Sequence, residues 1–385
     1  MTSKNKYSVS KLYPLIGGTL FKEFGEIIEN LDSLDILIYS FMSMQEKEVL
    51  SEINELKKLK KDVILIAGGA HPSGCPEDTL NLGFDHVIVG EGEISLPNLI
   101  NSIKSGKTPE KIIKGKPIEN FDDYEKIWPL APIEITRGCP YNCRFCQTPQ
   151  IFGKNIRHRS IESIVKIVKT MGDIRFVTPN AFSYGSKTGT KPDIEKLEKL
   201  MKSLFEIKKR LFFGTFPSEV RPEFVNFETL DLVNKYCDNR YIHFGAQSGS
   251  DEVLKHIRRG HLVSDVINAV ETSKECDLIP KVDFIFGFPD ETDDQRKESI
   301  DLMKYIIKKN GKVHAHYFMP LCGTYFENST PELLEKETLD ILGKMAKKGQ
   351  ITGSWGYQYS KNLEWKVILR ACKIHNLLFL TEFRS

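Results

Sequence analysis

The sequence predicts an α/β protein with two parallel-sheet units in series, followed by a helical C-terminal region. Three observations predict it. Short apolar runs with the pattern of buried parallel strands alternate with helical faces along most of the chain. The alternation breaks once, over a stretch carrying Gly106, Pro109, Gly115, Pro117 and Pro129. The loops after the strands, where sheets of this kind bind their ligands, carry clustered glycines and cysteines.

The first unit, residues 1–105, opens with helix-like runs at Tyr7–Ile16 and Leu20–Leu31, separated by Gly17 and Gly18. The runs Asp35–Phe41, Asp62–Gly69 and Phe84–Gly90 read as buried strands. Between the first two, Val49, Leu50, Ile53, Leu56 and Leu59 form the apolar face of a helix over Glu46–Leu59. Residues 79–82 read as a helix end, and Ile94–Ile103 as a further helix. Such alternation predicts a doubly wound sheet whose ligand site lies at the carboxyl ends of the strands. The loops there hold Ser40, Phe41 and Met42; Gly68, Gly69 and His71; and Gly90, Glu91 and Gly92. Residues 106–131 read as a linker.

The second unit, 132–325, has strand patterns at Ile133–Thr136, Ile174–Val177, Leu211–Thr215, Tyr241–Gly245, Lys281–Phe286 and Val313–Phe318. Helical faces at 161–171, 194–208, 228–237, 250–257, 264–276 and 294–308 alternate with them, and Ser160 is placed to cap the first. The result is a (βα)6 partial barrel with functional residues at the C-terminal strand ends. Residues 326–385 read as a helical region, with runs at Pro331–Lys347 and Leu363–Phe379 that cover the core or form a lid, and an aromatic segment at Ser354–Tyr359.

The densest chemistry follows the first barrel strand. Cys139, Cys143 and Cys146 have the spacing C-x3-C-x2-C on a short loop with Gly138, Pro140, Arg137 and Arg144. Positive charge nearby favours the thiolate, which is the metal-binding form. Three such thiolates can hold three corners of an iron–sulfur cubane and leave one iron open. A closed zinc site wants four protein ligands, and the next cysteine is Cys237. Hydrophobic residues make up 40% of the chain and charged residues 28%, with net charge +2. That composition suits a globular protein and makes no electrostatic case for nucleic acid. No apolar run reaches membrane-span length, no signal core opens the chain, and eight cysteines in 385 residues do not form a disulfide scaffold, so a reducing cytoplasm is expected.

The cysteine motif, with Phe145 just before its last member, resembles the signature of radical S-adenosylmethionine (SAM) enzymes. The resemblance implies a 4Fe-4S cluster held by Cys139, Cys143 and Cys146, whose open iron chelates SAM, and a ferredoxin- or flavodoxin-like electron donor. Phe145, Asn180, Ser218, Gln247, Ser248 and Phe286 fall where that family contacts SAM or its surroundings. Thr178–Ser183 lacks the family's Gly-Gly-Glu, whereas Gln247-Ser-Gly-Ser250 with Arg259-Gly-His261 and Gly287-Phe-Pro-Asp-Glu-Thr292 match its strand-end motifs closely. The first unit resembles the truncated Rossmann-like cobalamin-binding domain of one subgroup, through Gly68-Gly-Ala-His71 and Gly90-Glu-Gly-Glu93. The subgroup's cobalt-ligating Asp-x-His-x-x-Gly is absent, so cobalamin is expected without a His71–cobalt bond.

By this resemblance the chain is a cobalamin-dependent methyltransferase acting on an unactivated carbon of a protein or peptide. Its compact length and Gly68–Gly74 loop resemble small archaeal members, one of which methylates a glutamine of methyl-coenzyme M reductase. The alternative is a radical SAM oxidoreductase or rearrangement enzyme with a vestigial first domain. Methylthiotransferases share the Gln247–His261 pattern but use three further N-terminal cysteines, and only Cys75 precedes Cys139. Cys322, after the sixth strand, is expected as a buried inert thiol. No general base follows from the sequence.

Overall fold

A computed structural model describes residues 5–60, 62–126 and 132–362. In the first unit β1 (Ile36–Ser40), β2 (Ile64–Gly68), β3 (His86–Val89) and β4 (Ile112–Lys114) form a parallel sheet in that order. Successive side chains of a strand point to opposite faces. Leu65 and Ala67 therefore join a core with Val49, Ile53 and Leu56 of the helix Glu46–Leu59, while Ile66 packs with Leu96 and Leu99 of the helix Ser95–Lys104. The N-terminal helix Lys6–Ile16 lies on the latter side through Leu12 and Ile16.

Three expectations shift here. The fourth strand comes from the stretch read as linker, because Gly115 N–H bonds Val89 O and aligns 112–114 along β3. The helical run at Leu20–Leu31 shrinks to Phe24–Glu29. Residues Ala70–Gly74, expected as loop, form a short helix in which the Ser73 hydroxyl donates to Gly69 O.

In the second unit β5 (Ile133–Glu134) pairs in parallel with β8 (Phe176–Val177). An antiparallel pair, β6 (Thr136–Arg137) with β7 (Arg157–His158), braces the cysteine loop. Further round, β9 (Tyr241–Gln247), β10 (Ile279–Phe286), β11 (Lys312–Tyr317) and β12 (Ile351–Thr352) are parallel neighbours. The last lies in the region expected to be helical, whose helix begins at Lys336 rather than Pro331. The Leu363–Phe379 run lies outside the described residues. Phe176, Phe213, Phe244 and Phe284 fill the layer between these strands and the helices outside them.

Between β8 and β9, the segment expected as a strand at Leu211–Thr215 makes one isolated bridge, Ile174 to Leu211, and a second, Val220 to Phe244, lies beyond it. Backbone bonds such as Phe212 N–H to Ile174 O and His243 N–H to Gly214 O remain, and side chains supply others. Asp238 Oδ2 accepts from Leu211 N (2.8 Å), Asn239 Oδ1 accepts from Phe213 N (3.1 Å), and Asn239 Nδ2 donates to Phe213 O (2.7 Å). Replacing Asn239 with Ala leaves both backbone groups of Phe213 without that partner. The expected loss is about 1–3 kcal/mol, read as a lower urea midpoint with fold and cysteine chemistry retained.

Candidate functional site

The cysteine loop is built by backbone constraint before chemistry. Gly138 has φ +87°, and a Cβ there would sit 2.1 Å from Asn155 O, so only glycine lets the loop close against 153–155. Cys139 N–H then bonds Gly153 O, and Cys146 N–H bonds Cys143 O, both at 3.1 Å. Phe145 packs beside Phe288 (ring centroids 5.5 Å apart) in an apolar group with Val253, Ile257, Phe318 and Phe326.

The cations facing the thiols are not those of the loop. Arg137 turns away: Nη1 reaches Glu91 Oε2 (2.6 Å), Nη2 reaches Glu93 Oε1 (2.6 Å) and Glu134 Oε2 (2.7 Å). Arg144 lies over the Tyr325 ring at 4.3 Å. Arg259 supplies charge instead, with Nη1 3.8 Å from Cys143 Sγ and Nη2 donating to Gly245 O at 3.2 Å. Arg221 stacks on Tyr141 at 3.5 Å, and both bond Glu223 Oε1. Burial pushes the Cys139 thiol up to about 11, with the neighbouring Cys146 and Cys143 adding to the rise and Arg221 opposing it. Burial likewise raises Cys146. Crowded sulfurs that disfavour one another's charge, ringed by guanidiniums, fit a cationic cluster, since iron offsets that repulsion and binds thiolates.

Beside the loop, β9 and β10 slip register between Asp283 and Phe284, so Ala246 is extra and Gln247 takes φ +73°. A bulge of this kind re-aims a side chain. The Gln247 amide folds back over Gly245, where a Cβ would meet Nε2 at 2.0 Å. Arg259 and His261 hold the bulge by its carbonyls, His261 through Nε2 to Ala246 O (3.1 Å). Burial, then Arg259 and Arg221, push His261 down to about 2, so it is a neutral donor here. The Asn180 side chain is buried; Oδ1 accepts from Arg221 N (3.4 Å) and Nδ2 has no partner. That orphan donor, among the groups placed for SAM, is available to a ligand oxygen. Phe286 is buried at the end of β10. Ser218 and Ser248 are engaged within the protein, Ser218 with Thr178 (2.6 Å) and Ser248 with Ser299 and Ser250 N. Ser250 makes no side-chain cap to the helix it precedes.

At the ends of β1–β3 lies a cavity of about 330 Å³. Ser40, Phe41, Met42, Gly68, Gly69, Gly90, Glu91 and Gly92 line one side, as the sequence suggests, and Glu134, Arg137, Ile151, Phe152 and Val177 line the other. A second cavity of about 690 Å³ runs along β1 and shares Ile38, Tyr39, Ser40 and Phe41 with it. Both fall in the size range of cofactor sites, and nothing lies within 4 Å of a Cβ built at Gly68. Two members of the expected set stand apart. His71 sits behind Phe41 (rings stacked, centroids 5.2 Å), with Nδ1 3.2 Å from Ser43 Oγ and 3.5 Å from Cys322 Sγ. Glu91 borders the cavity, but its carboxylate is held by Arg137, Arg157 and Ile118 N–H. Cys322 is half-exposed beside Cys75, and burial raises its thiol.

What sequence reading missed is the ionic clamp formed by these groups. Arg137, Arg157 and Lys11 meet Glu91, Glu93 and Glu134 between the two units. Burial and Arg137 push Lys11 well below its usual range. Removing one partner of a buried pair costs about 3–5 kcal/mol. Arg137→Met is therefore expected to lose that much in chemical denaturation and to load less iron. Burial would raise Glu93, but Arg137 and Lys11 outweigh it and hold the carboxyl at about 2. A depressed carboxyl stabilises fully above its unfolded value of about 4.3 and less as pH falls from there toward 2. Acid unfolding of Glu93→Gln is expected to show a shallower loss of stability over that window than the parent.

Residues 133–303 match the family described as the Radical SAM superfamily, and residues 20–100 match the B12 binding domain. A candidate methylthiotransferase of Methanocaldococcus jannaschii is 30% identical over 307 residues, 74% of this chain and 65% of the relative, so the chain spans under two thirds of that protein's length. The tRNA-2-methylthio-N(6)-dimethylallyladenosine synthase of Thermosipho melanesiensis is 24% identical over 90% of this chain and 81% of its own. Among solved structures, the radical SAM methyltransferase TsrM of Kitasatospora setae, with cobalamin and a [4Fe-4S] cluster bound, superposes with TM-score 0.61 at 16% identity, covering 78% of this chain and 68% of that one. The cobalamin-dependent radical enzyme OxsB superposes with TM-score 0.56 at 19% identity, over 73% of this chain and 45% of that one. At those identities the likeness is one of fold. The chain thus joins a B12-binding domain to a radical SAM domain, and its cofactors are a 4Fe-4S cluster, SAM and cobalamin.

Proposed function

We propose that the chain is a cobalamin-dependent radical SAM methyltransferase that methylates an unactivated carbon of a protein or peptide. The observation that carries the reading is a cavity between the strand ends of the first sheet and the segments that flank the thiol loop, Glu134, Arg137, Ile151 and Phe152, with Arg137 tying its two walls together. When bound, the cluster, SAM and cobalamin supply a radical able to take hydrogen from carbon and a methyl group to replace it. Cys139, Cys143 and Cys146 would hold the cluster, and a ferredoxin- or flavodoxin-like protein would reduce it. Arg259 sets the charge beside Cys143 while fixing the Gly245–Gln247 bulge. Phe145 and Phe288 keep water from that side, and Phe41, Ile88, Ile151 and Phe152 do so in the cavity. Replacement of a carbon-bound hydrogen by this route needs no side chain as a general base.

The named relatives favour a second reading, methylthio transfer. That chemistry uses a second cluster, held in the family by three more N-terminal cysteines. Only Cys75 lies among residues 1–138, and its free thiol is hydrogen-bonded to that of Cys322. Acid-labile sulfide separates the readings. The methyltransferase reading expects about four sulfides per chain after anaerobic reconstitution, corrin absorbance retained through desalting with hydroxocobalamin, and 5′-deoxyadenosine formed from SAM and dithionite. Near twice that sulfide, with no corrin retained, would favour methylthio transfer. Cys143→Ala is expected to lose the cluster absorbance and all deoxyadenosine. As acceptor class we propose a peptide glutamine of the kind found in methyl-coenzyme M reductase, on the strength of the Gly68–Gly74 loop. A peptide carrying that glutamine should gain the mass of one methylene, and an unchanged peptide alongside active SAM cleavage would remove this acceptor while leaving the enzyme class standing.

A further inference from the structure

Outside the lining of either cavity, a second set of ligand-type side chains converges on β10 and β11. β10 and β11 are in parallel register with Asp283 opposite His314. His316 follows two residues on, and so projects from the same face of its strand. One ligand atom from each of Asp283, His314 and His316 lies within 4.8 Å of the other two. The two imidazoles meet edge-on, with centroids 4.7 Å apart.

Each of the three is held from behind. His243 Nε2 lies 2.6 Å from Asp283 Oδ1. Thr352 Oγ1 lies 2.9 Å from His314 Nδ1, leaving Nε2 as the free ring nitrogen. Gln358 hydrogen-bonds His316 and is itself fixed by accepting the Tyr317 N–H at 2.9 Å. Ligating histidines and carboxylates typically have such outer partners, which set ring orientation and basicity. A purely internal network would close its own hydrogen bonds, but this one does not. His243 is buried, its Nδ1 has no partner, and the nearest carboxylate, Glu219 Oε1, stands 4.0 Å away. Glu219, His243 and Asp283 form a second ligand-type group sharing the same aspartate.

We propose that Asp283, His314 and His316 bind one divalent transition-metal ion of the iron(II), cobalt(II) or zinc(II) class, with His243, Thr352 and Gln358 as the outer layer that orients them. Two histidines and a carboxylate on one face are a recurrent set for such ions. Three protein ligands leave a coordination position open, so the ion can take water or a substrate oxygen inside the barrel. The site is independent of cobalamin, and its test does not require the enzyme to turn over.

The test uses the full chain with its cluster reconstituted, stripped of loosely held ions and titrated anaerobically with Co²⁺. Metal content is read after desalting, and the coordination sphere by X-ray absorption at the cobalt edge. The expected result is one retained Co²⁺ with only nitrogen and oxygen neighbours, including imidazole. Thr352→Val should weaken retention about 10–100-fold, the usual effect of an outer partner, and the near-isosteric Asp283→Asn should weaken it more, with cluster absorbance intact in both. Failure of the parent to retain Co²⁺ would overturn the proposal. So would sulfur in the coordination sphere, which would put the ion on Cys75 and Cys322 or on the cluster cysteines. Equal retention by Asp283→Asn would also overturn it. If that variant does not fold, the absorption spectrum of the parent decides alone.

Discussion

The protein depends on a charge problem solved between its two sheets. Arg137 is the residue two before Cys139, yet its guanidinium serves the opposite domain, where Glu91 and Glu93 close the loop after β3. All three side chains are almost wholly buried. Desolvating them is costly, and the attraction among them compensates only when every hydrogen-bonding position is used. Here it largely is: Glu91 also takes Arg157 and the Ile118 amide, and Glu134 takes Arg137 and Lys11. The clamp therefore defines a relative placement of the two domains. Moving one by an ångström would break several charge-assisted bonds at once, whereas apolar contacts would tolerate the slip.

That placement has a consequence for chemistry. Cofactors held by different domains have to meet in a fixed geometry, and misplacement of reacting groups by about 1 Å can cost two orders of magnitude in rate. The ion cluster sits in the wall of the cavity where the two would meet. The same economy recurs at the thiols, where Arg259 contacts both Cys143 and the carbonyl of Gly245, so that loop charge and strand-end shape are set by one side chain. His261 stays neutral under burial and two flanking arginines, and so can hold the Ala246 carbonyl without adding a third positive charge.

Most of the strands and helices were legible because burial patterns are local. The runs at Asp35–Phe41 and Lys281–Phe286 became β1 and β10, and the helix over Glu46–Leu59 fell where its apolar face placed it. The misses are places where a distant group decides. Residues 211–215 have a strand's composition, yet Asp238 and Asn239 side chains take the bonds a neighbouring strand would have made. Residues 112–114 look like linker because three residues carry no periodicity, and only pairing with β3 makes them a strand. Of the candidate site, the thiol spacing and strand-end glycines could be read, since both are short-range motifs. The partners could not. Arg137 and Arg144 were the obvious cations by proximity in sequence, and the fold replaces them with Arg259 and Arg221, more than seventy residues away. Glu91, a candidate cobalamin contact, and Ser248, a candidate SAM contact, are engaged inside the protein.

The barrel interior shows the limit of such reading from the other side. His314 and His316 are two apart in a strand that alternates buried and half-buried positions, so their shared face is legible in principle. Nothing local marks that face as the lumen rather than the helix-covered side. Register alone sets Asp283 opposite His314, and Thr352 arrives from a two-residue strand that sequence patterning does not reveal. Polar residues gathered inside a barrel without a function would be an expensive accident, because each buried donor or acceptor left unpaired costs about 1–3 kcal/mol. An unpartnered nitrogen on His243 beside an aspartate and two further histidines is thus better understood as part of a binding surface than as packing.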